Sequence, residues 1–485
     1  MPDLDEVFEY RFSPLDPVRG DHIDPPTMAI YETLLTKGPD GRPRPGLATS
    51  WQVSDDGLTW LLRVRDGARF HTGRTCDAAA VVEALELCRW GEGFPRQVWY
   101  WDPVDNVTAR DDTTVVIRLR QPTPRLPVLL WGTHTAVVNA RSWGRLGADF
   151  GVALADGTGP YRMRSYRPEE VVAERVDARP GAPTVLRWRS VPDEEEREAI
   201  AERGTADIVR QVPRLRPDRT AGWSVQRQPE NSQFYLALNC ADPRFSTALV
   251  RRCIDAFVDR DELLQRALAG EGDARRSPVP AADEFAGAYD PREVPPMSRG
   301  EAREALRSLG WLPGPDGVLA RDGVTMHVET VAQDTEVCRR IAEGLTSALR
   351  DVGVALDFRF EELFGPFYRA VEQGPAAFLN KWLWPDAMEA VYGFSRTDCI
   401  EPAGGNWQSA SCPVVDEAFD DFGRARTDAD LRAASAALQR DFMLELPYLP
   451  LVSPVETLAT GLAVGGLRLT PRTLYPTYEG VVVSR

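Results

Sequence analysis

The densest group of chemically capable side chains lies in NKWLWPDAMEAVYGF, residues 380–394. Trp382 and Trp384 present indole faces, which attract cations as well as apolar rings. Asp386 and Glu389 follow closely, and a carboxyl group shielded by indoles acquires a raised pKa that suits proton transfer. The segment therefore predicts a site that can hold a cation or an aromatic ring and can act on it by acid–base chemistry.

The same residues also have a purely structural interpretation. Trp382 and Trp384 are two residues apart, so on a strand they share one face and can both belong to a core. Asp386 follows Pro385 and can serve as a turn residue. The sequence leaves both interpretations open.

The histidines do not indicate a metal site. His22, His71, His134 and His327 are scattered and lack the spacing of metal ligands. His71 is expected to be structural. His134, in LLWGTHTAVVN, is the reserve candidate for proton transfer, and a packing role is its alternative.

Motifs for nucleotide binding or covalent catalysis are absent. GTGP and GGLRLTP lack the Lys-Ser/Thr of a P-loop, and no G-x-S-x-G elbow occurs. The sequence therefore predicts no cofactor and no metal. Any catalysis would be general acid–base chemistry.

Composition bounds the class of protein. The 485 residues carry 73 acidic and 57 basic side chains, for a net charge of −16. This charge argues against a nucleic-acid partner, whose phosphates need a basic face, and favours a cationic or zwitterionic small ligand. No apolar run approaches the roughly 18 residues of a membrane span, so no membrane insertion is expected. The spacing of the seven cysteines suits a reducing compartment.

Strands and helices alternate along the chain and must position these side chains. Short alternating strands are predicted at Thr59–Val64, Thr114–Leu119 and Phe234–Leu238, and amphipathic helices at Thr247–Leu268 and Asp428–Leu444. At this length, mixed strands and helices predict an α/β fold of two or three domains.

One long stretch carries a specific resemblance. YETLLTKGPDGRPRPGLATSWQVSDDGLTWLLRVRDGARFHTG, residues 31–73, resembles the signature of the family 5 extracellular solute-binding proteins. These are the oligopeptide, dipeptide and nickel receptors of ABC importers. The matching features are Tyr31-Glu32, Pro45 ahead of Leu47-Ala48, Trp51, Asp56-Gly57 and the run from Arg63 to Gly73. Weaker similarity continues in order to the end of the chain.

The resemblance implies a domain arrangement. It implies a two-lobed periplasmic-binding-protein-like fold with a ligand cleft between the lobes. Lobe I would consist of residues 1–31, 158–230 and 456–485, and lobe II of residues 231–455. An inserted extra domain would occupy residues 32–157.

The resemblance also implies ligand-binding residues. It places the Trp-rich segment at the cleft, with its acidic residue on the ammonium group of the ligand. Asn406 and Trp407, in the loop GGNWQSASC, would line the cleft as well. Tyr235 and Asn239, on a strand that enters lobe II, are the remaining candidates.

Two functions of different class follow from these observations. The favoured one is a cofactor-free enzyme of specialised metabolism that condenses an aromatic amine with a carbonyl compound, as in Pictet–Spengler ring closure. Asp386, Glu389 or His134 would transfer the proton. The alternative is the substrate-binding protein of an ABC importer for oligopeptides or related solutes, partnered by a permease. A monomer is expected in both cases.

The first residues favour a cytoplasmic location. MPDLDEVFEYRFSPLDPVRG has no charged start, apolar core or cleavage site of a secretory signal. The expectation is therefore a cytoplasmic protein, and a leader removed from the sequence would make it extracytoplasmic.

Overall fold

The fold was obtained as a computed structural model. It describes residues 3–20, 24–38, 41–90, 101–123, 125–132, 135–177, 179–215, 223–363, 365–384, 386–467, 478 and 480–484. Two residues named above, His22 and the reserve candidate His134, lie outside the described residues.

The chain divides into two compact units. The first contains Met1–Gln228 and Glu456–Arg485, and the second contains Pro229–Val455. Both units mix strands and helices, which confirms the α/β class. Separation of residues 32–157 as a domain of its own stays a prediction.

The strands of the described residues are as follows, in chain order: β1 (Asp3–Phe8), β2 (Leu35–Lys37), β3 (Pro43–Pro45), β4 (Ala48–Val53), β5 (Thr59–Val64), β6 (Val104–Asp111), β7 (Thr114–Leu119), β8 (Tyr161–Arg167), β9 (Glu170–Arg175), β10 (Val185–Ser190), β11 (Ile208–Arg210), β12 (Ser224–Pro229), β13 (Ser232–Leu238), β14 (Gly272–Asp273), β15 (Leu312–Pro313), β16 (Leu319–Arg321), β17 (Val324–Thr325), β18 (His327–Gln333), β19 (Ala355–Glu361), β20 (Ala377–Leu383), β21 (Leu449–Pro450), β22 (Ser453–Thr460), β23 (Val464–Gly465) and β24 (Val482–Val483).

The α-helices of the same residues are α1 (Pro25–Ile30), α2 (Ala78–Trp90), α3 (Leu126–Trp131), α4 (Ala140–Leu146), α5 (Glu194–Arg203), α6 (Ala248–Asp255), α7 (Arg260–Leu268), α8 (Arg299–Ser308), α9 (Glu336–Arg350), α10 (Gly365–Glu372), α11 (Ala387–Ser395), α12 (Pro413–Arg424) and α13 (Asp428–Glu445). None of these helices combines the length and the apolar character that a membrane span requires.

The main sheet of the first unit is mixed. β1 lies between β10 and β11 and is parallel to both, and β9 and β8 continue the sheet beyond β10 in antiparallel pairs. A buried network of hydrogen bonds stabilises the position of β1. The Glu6 carboxylate accepts from the Arg210 guanidinium and from the Tyr478 hydroxyl, to which the Trp188 indole donates at 2.6 Å. Residues from both ends of the chain therefore belong to one unit.

A second sheet of the first unit, in the order β4-β5-β7-β6, is antiparallel throughout. The segment GTGP, which follows this part of the chain, packs closely on α1. A Cβ on Gly157 would lie 2.3 Å from the Ile30 carbonyl oxygen, and one on Gly159 would lie 2.6 Å from the Ala29 carbonyl oxygen. Glycine is therefore required at both positions, because the neighbours are backbone atoms.

The second unit is built on a five-stranded sheet in the order β19-β18-β20-β13-β21. β18 is parallel to β19 and to β20, whereas β13 is antiparallel to β20 and to β21. Helix α9 joins β18 to β19, and α10 joins β19 to β20. The Thr335 side chain caps α9 by accepting from the Cys338 amide, which explains where this helix begins.

The two faces of this sheet differ because side chains alternate along a strand. On one face, Phe234, Leu236 and Leu238 of β13 join a core that includes side chains of α6, α7, α8 and α9. We call this the apolar face. Gln233 and Tyr235 lie on the opposite face of the same strand, and we call that face the polar face.

Candidate functional site

The topology of the second unit indicates where a ligand binds. The chain leaves β18 for β19 on one side and then returns to β20 on the other side of β18. Open α/β sheets bind ligands outside the carboxyl ends of the strands at such a switch point. Here the switch point lies between Gln333, which ends β18, and Leu383, which ends β20.

The Trp-rich segment begins at this edge. Trp382 is on β20 and is only 2% exposed. Trp384 follows the strand, is half-buried, and packs edge-on against Phe394 with 5.9 Å between ring centroids. The structure thus brings one indole into the sheet and leaves the other at the carboxyl edge.

Asp386 forms the N-cap of α11. Its carboxylate accepts from the Met388 amide at 3.0 Å and from the Glu389 amide at 3.3 Å, and the residue is 2% exposed. Glu389 is half-buried in the first turn of the helix. A carboxylate at a helix N-terminus is stabilised by the backbone N–H groups and the helix dipole. Asp386 thus has a structural role, as a helix cap rather than the turn residue that the sequence suggested, and an additional ligand contact of Asp386 stays a prediction.

Tyr235 belongs to a buried chain of hydrogen bonds on the polar face. Gln333 Nε2 donates to Asn380 Oδ1 at 2.6 Å, and Asn380 Nδ2 donates to the Tyr235 hydroxyl oxygen at 2.9 Å. The Tyr235 ring lies 4.6 Å from the Tyr448 ring. Burial raises the pKa of Tyr235 above its ordinary value, so the phenol stays neutral.

Trp407 is placed within an aromatic cluster. Its ring centroid lies 5.4 Å from Tyr368, 5.8 Å from Phe394 and 6.2 Å from Phe378. Because Phe394 also contacts Trp384, the cluster extends from the loop of Trp407 to the carboxyl edge. The structure thereby brings together two of the predicted aromatic residues, Trp384 and Trp407, through one shared ring.

Asn406 and Asn239 organise loops. Asn406 Nδ2 donates to the carbonyl oxygens of Arg396 and Ala410, each at 2.7 Å, and its Oδ1 accepts from the Ala410 amide at 2.9 Å. Asn239 Nδ2 donates to the Pro375 carbonyl at 3.2 Å, and its Oδ1 accepts from the Ala241 amide at 3.0 Å. Both amides are engaged by the protein, so a direct ligand contact by either remains a prediction.

Two polar residues of the switch-point edge were missed by the sequence argument. Gln233 lies on the same face of β13 as Tyr235 and is paired with Trp382 of β20, and Asn231, just before β13, donates to the Trp384 carbonyl oxygen. The signal was partial, since tryptophans recur with period two in WLW but NSQFY begins with three consecutive polar residues. Among the described residues, no group of three or more metal-ligating side chains is assembled.

The fold defines the class of the protein as a periplasmic-binding-protein-like α/β architecture, as expected from the sequence. The model of the bacterial extracellular solute-binding proteins, family 5 Middle, matches residues 42–399. The chain therefore belongs to family 5 of the bacterial extracellular solute-binding proteins, which confirms the resemblance.

Relatives within this class bind peptides or other small ligands. The chain is 27% identical over 311 residues to the glutathione-binding protein GsiB of Escherichia coli K12, and the match covers 62% of this chain and 60% of GsiB. Its structure is similar to the oligopeptide-binding protein AppA of Bacillus subtilis in complex with a nonapeptide, with a TM-score of 0.88, 19% identity, and coverage of 100% of this chain and 99% of AppA.

A third relative is the dipeptide binding protein of Pseudoalteromonas sp. SM9913 in complex with Met-Leu. It has a TM-score of 0.85 and 18% identity, and all of both chains is covered. At these identities, the similarity to the two solved structures establishes the fold alone.

These comparisons contradict the enzyme predicted from the sequence. The family and the relatives are solute-binding proteins, and none of them supports a Pictet–Spengler condensation or a place in biosynthesis. The prediction was wrong because an indole-rich pocket with carboxylates suits binding as well as proton transfer. Asp386, moreover, is occupied by a helix cap. The catalytic roles of Asp386, Glu389 and His134 are therefore withdrawn.

Proposed function

We propose that the protein is the substrate-binding receptor of an ABC importer for oligopeptides or related solutes. The observation that carries the proposal is the family match over residues 42–399. The relatives named for glutathione, a nonapeptide and Met-Leu support a peptide-like substrate. A permease would be the protein partner, and the receptor itself would be a monomer.

The switch-point edge of the second unit is the ligand-binding part of this proposal. A peptide carries amide groups together with side chains of varied polarity, and it needs hydrogen-bonding groups set among apolar surfaces. Trp384, which is half-buried, would supply an apolar surface, and the buried Trp382 and Trp407 would support it from below. Tyr235 and Asn406 are completely buried, so they would hold the surrounding strand and loop in place.

The test is binding by purified protein without any second substrate. Glutathione, Met-Leu and RPPGFSPFR, the peptide in the solved structure of Haemophilus influenzae OppA, are titrated calorimetrically, and the melting temperature is recorded with each. We expect at least one of them to bind, and a ligand at a hundred times its Kd should stabilise the protein by about 2.7 kcal/mol. An equimolar mixture of the free amino acids is the control. Absence of binding by all three peptides would count against a peptide receptor.

The location of the protein in the cell distinguishes the proposed receptor from the cytoplasmic protein that the sequence led us to expect. A receptor that feeds an importer works outside the cytoplasmic membrane, whereas the first residues led to the prediction of a cytoplasmic protein. Fractionation of the native cells with an antibody against this chain decides between them. Recovery with extracytoplasmic proteins agrees with the receptor, and recovery only with cytoplasmic proteins contradicts it.

A further inference from the structure

Two cysteines of the second unit are brought together by the backbone. Cys240 comes shortly after β13, and Cys412 immediately precedes α12. The Cys240 amide donates to the Gln408 carbonyl oxygen at 2.7 Å, which fixes the end of β13 against the loop that leads to Cys412. Both thiols are free in the structure. Two cysteines from distant parts of the sequence therefore meet at one place in the fold.

The two thiols share the same charged neighbours. Burial raises the pKa of Cys412 to about 12; Arg251 opposes this rise, and a negative charge on Cys240 contributes to it. Burial likewise raises the pKa of Cys240, with Arg251 again opposing and Glu445 contributing. The Arg251 guanidinium is fixed because it donates to the Glu445 carbonyl oxygen at 2.6 Å. The two sulfurs thus lie in one electrostatic environment, within reach of each other's charge.

The backbone on both sides of this contact is fixed by hydrogen bonds. Within the loop before α12, the Asn406 side chain donates to the Ala410 carbonyl oxygen at 2.7 Å and accepts from the Ala410 amide at 2.9 Å. On the other side, the Asn239 amide donates to the Ala376 carbonyl oxygen at 2.9 Å. The two thiols therefore stay near each other, as the formation of a bond between them requires.

A third cysteine, Cys399, competes as a partner for Cys412. It lies before Cys412 in the chain, and its carbonyl oxygen accepts from the Asn406 amide at 2.9 Å. The Cys399 Sγ donates to Asp398 Oδ1 at 3.6 Å, on a side chain that is half exposed. The charge of Cys240, by contrast, acts on Cys412 itself. The structure therefore favours Cys240 over Cys399 as the partner of Cys412.

We propose that Cys240 and Cys412 form a disulfide bond when the protein is in an oxidising environment. The bond joins the end of β13 to the start of α12. The proposal goes beyond the receptor function, because formation of the bond needs no ligand. A receptor that works outside the cytoplasmic membrane is nevertheless in a compartment where disulfides form and persist.

The reaction is a thiol–disulfide exchange with a small disulfide such as glutathione disulfide. Cys240 is the more exposed thiol, and as a thiolate it attacks one glutathione sulfur, which forms a mixed disulfide and releases the other glutathione. The Cys412 thiolate then attacks the Cys240 sulfur and releases the second glutathione. The two cysteines lose two electrons and two protons, which convert the oxidant into two glutathione thiols.

The experiment follows formation of the bond in the unmodified protein without any ligand. The protein is reduced, desalted and incubated with glutathione disulfide at mildly alkaline pH, and the remaining thiols are alkylated. We expect mass spectrometry to find a peptide pair that joins Cys240 to Cys412. The melting temperature should exceed that of the reduced protein, because a crosslink restricts the unfolded chain. A bond between Cys399 and Cys412, glutathione adducts without a bond, or alkylation of every cysteine would overturn the proposal.

Serine variants separate this bond from a general effect of oxidation. In Cys240→Ser and Cys412→Ser, oxidation should leave the melting temperature unchanged, since each variant lacks one half of the bond. Cys399→Ser is the matched control and should still form the bond. A rise in melting temperature on oxidation that persists in Cys240→Ser would overturn the proposal, and if the variants do not fold, the peptide map of the unmodified protein decides alone. Because no peptide ligand is used, this proposal and the proposed function can fail separately.

Discussion

The two faces of the five-stranded sheet in the second unit are built from the same strands but are stabilised by different interactions. On the apolar face, Phe234, Leu236 and Leu238 are buried under helices, and contact between hydrocarbon groups is all that they require. On the polar face, Gln233 and Tyr235 of the same strand are as deeply buried, yet each carries atoms that need a directed partner. Burial alone therefore stabilises the side chains of the apolar face, whereas those of the polar face also need hydrogen-bond partners.

The difference between the two faces shows which kind of side chain can make ligand binding specific in this fold. Apolar contacts are non-directional, so a ligand adds nothing that neighbouring side chains do not already provide. Hydrogen-bonding groups are directional, and an unpaired buried acceptor costs free energy until something bonds it. Polar groups, rather than apolar surface, are therefore where this fold can gain specificity for a ligand.

The largest predicted effect is on the helices over the apolar face. Asp255, at the end of α6, is fully buried and paired with Arg260 at 2.5 Å and with Arg276 at 2.6 Å. Asp255→Asn leaves two guanidinium groups without their charge partner. We expect a loss of about 3–5 kcal/mol in the free energy of unfolding at pH 7, measured by urea denaturation, because breaking a buried ion pair strands the remaining charge.

The pH dependence sharpens this prediction. Burial pushes the pKa of Asp255 up, but Arg260 and Arg276 outweigh it and hold the pKa below its ordinary value. The ionised carboxylate thus stabilises the fold above its unfolded pKa of about 3.9, and this stability is lost as the pH falls through the lower folded value. The variant should lose less stability than the unmodified protein over that acid range. If the free energies of unfolding of the two proteins fall in parallel as the pH is lowered, Asp255 is not the source of this pH dependence.

The second effect is on the interior of the polar face. Asn380→Leu removes the middle of the Gln333–Asn380–Tyr235 chain and leaves a buried amide and a buried phenol unpaired. The expected loss is about 1–3 kcal/mol, measured by urea denaturation. In the double variant with Tyr235→Phe, the phenol is gone as well, so the two losses should not add. Full additivity would show that the two residues do not interact.

Much of the secondary structure could be predicted because it depends on local patterns. The strands predicted at Thr59–Val64 and Thr114–Leu119 have these bounds in the structure. The helix predicted over Thr247–Leu268 is two helices, because Asp259 caps a new one by accepting from the Glu262 amide. The strand predicted from Phe234 begins two residues earlier, at Ser232. Its first residues are polar, so the apolar pattern did not reveal them as part of the strand.

The site was harder to predict because the hydrogen-bond partner of a buried polar atom often lies far away in the sequence. The tryptophans near residue 382 were found from their residue type. Whether an amide such as Gln233 has both ends bonded depends on the Ser277 carbonyl, which lies 44 residues further along the chain. No local pattern reports such a partner. The role of Asp386 was open for the same reason, since a carboxylate before a helix serves equally as a cap or as a ligand anchor.

The smallest predicted effect separates these two roles of Asp386. Asp386→Ala removes the acceptor for the Met388 and Glu389 amides and should cost about 0.5–2 kcal/mol of stability, measured by urea denaturation. Asp386→Asn keeps a capping oxygen without the charge, so it should retain most of that stability.

Binding by the Asn variant then decides whether the charge matters to the ligand. If Asp386 acts only as a cap, glutathione, Met-Leu or RPPGFSPFR should bind Asp386→Asn with an unchanged Kd, because the Asn side chain preserves the start of α11. If the carboxylate instead pairs with the ammonium group of the ligand, the same variant loses affinity while keeping its stability. A tenfold weaker Kd for a free peptide, with no change for its N-acetylated form, would return Asp386 to the role that the sequence first suggested.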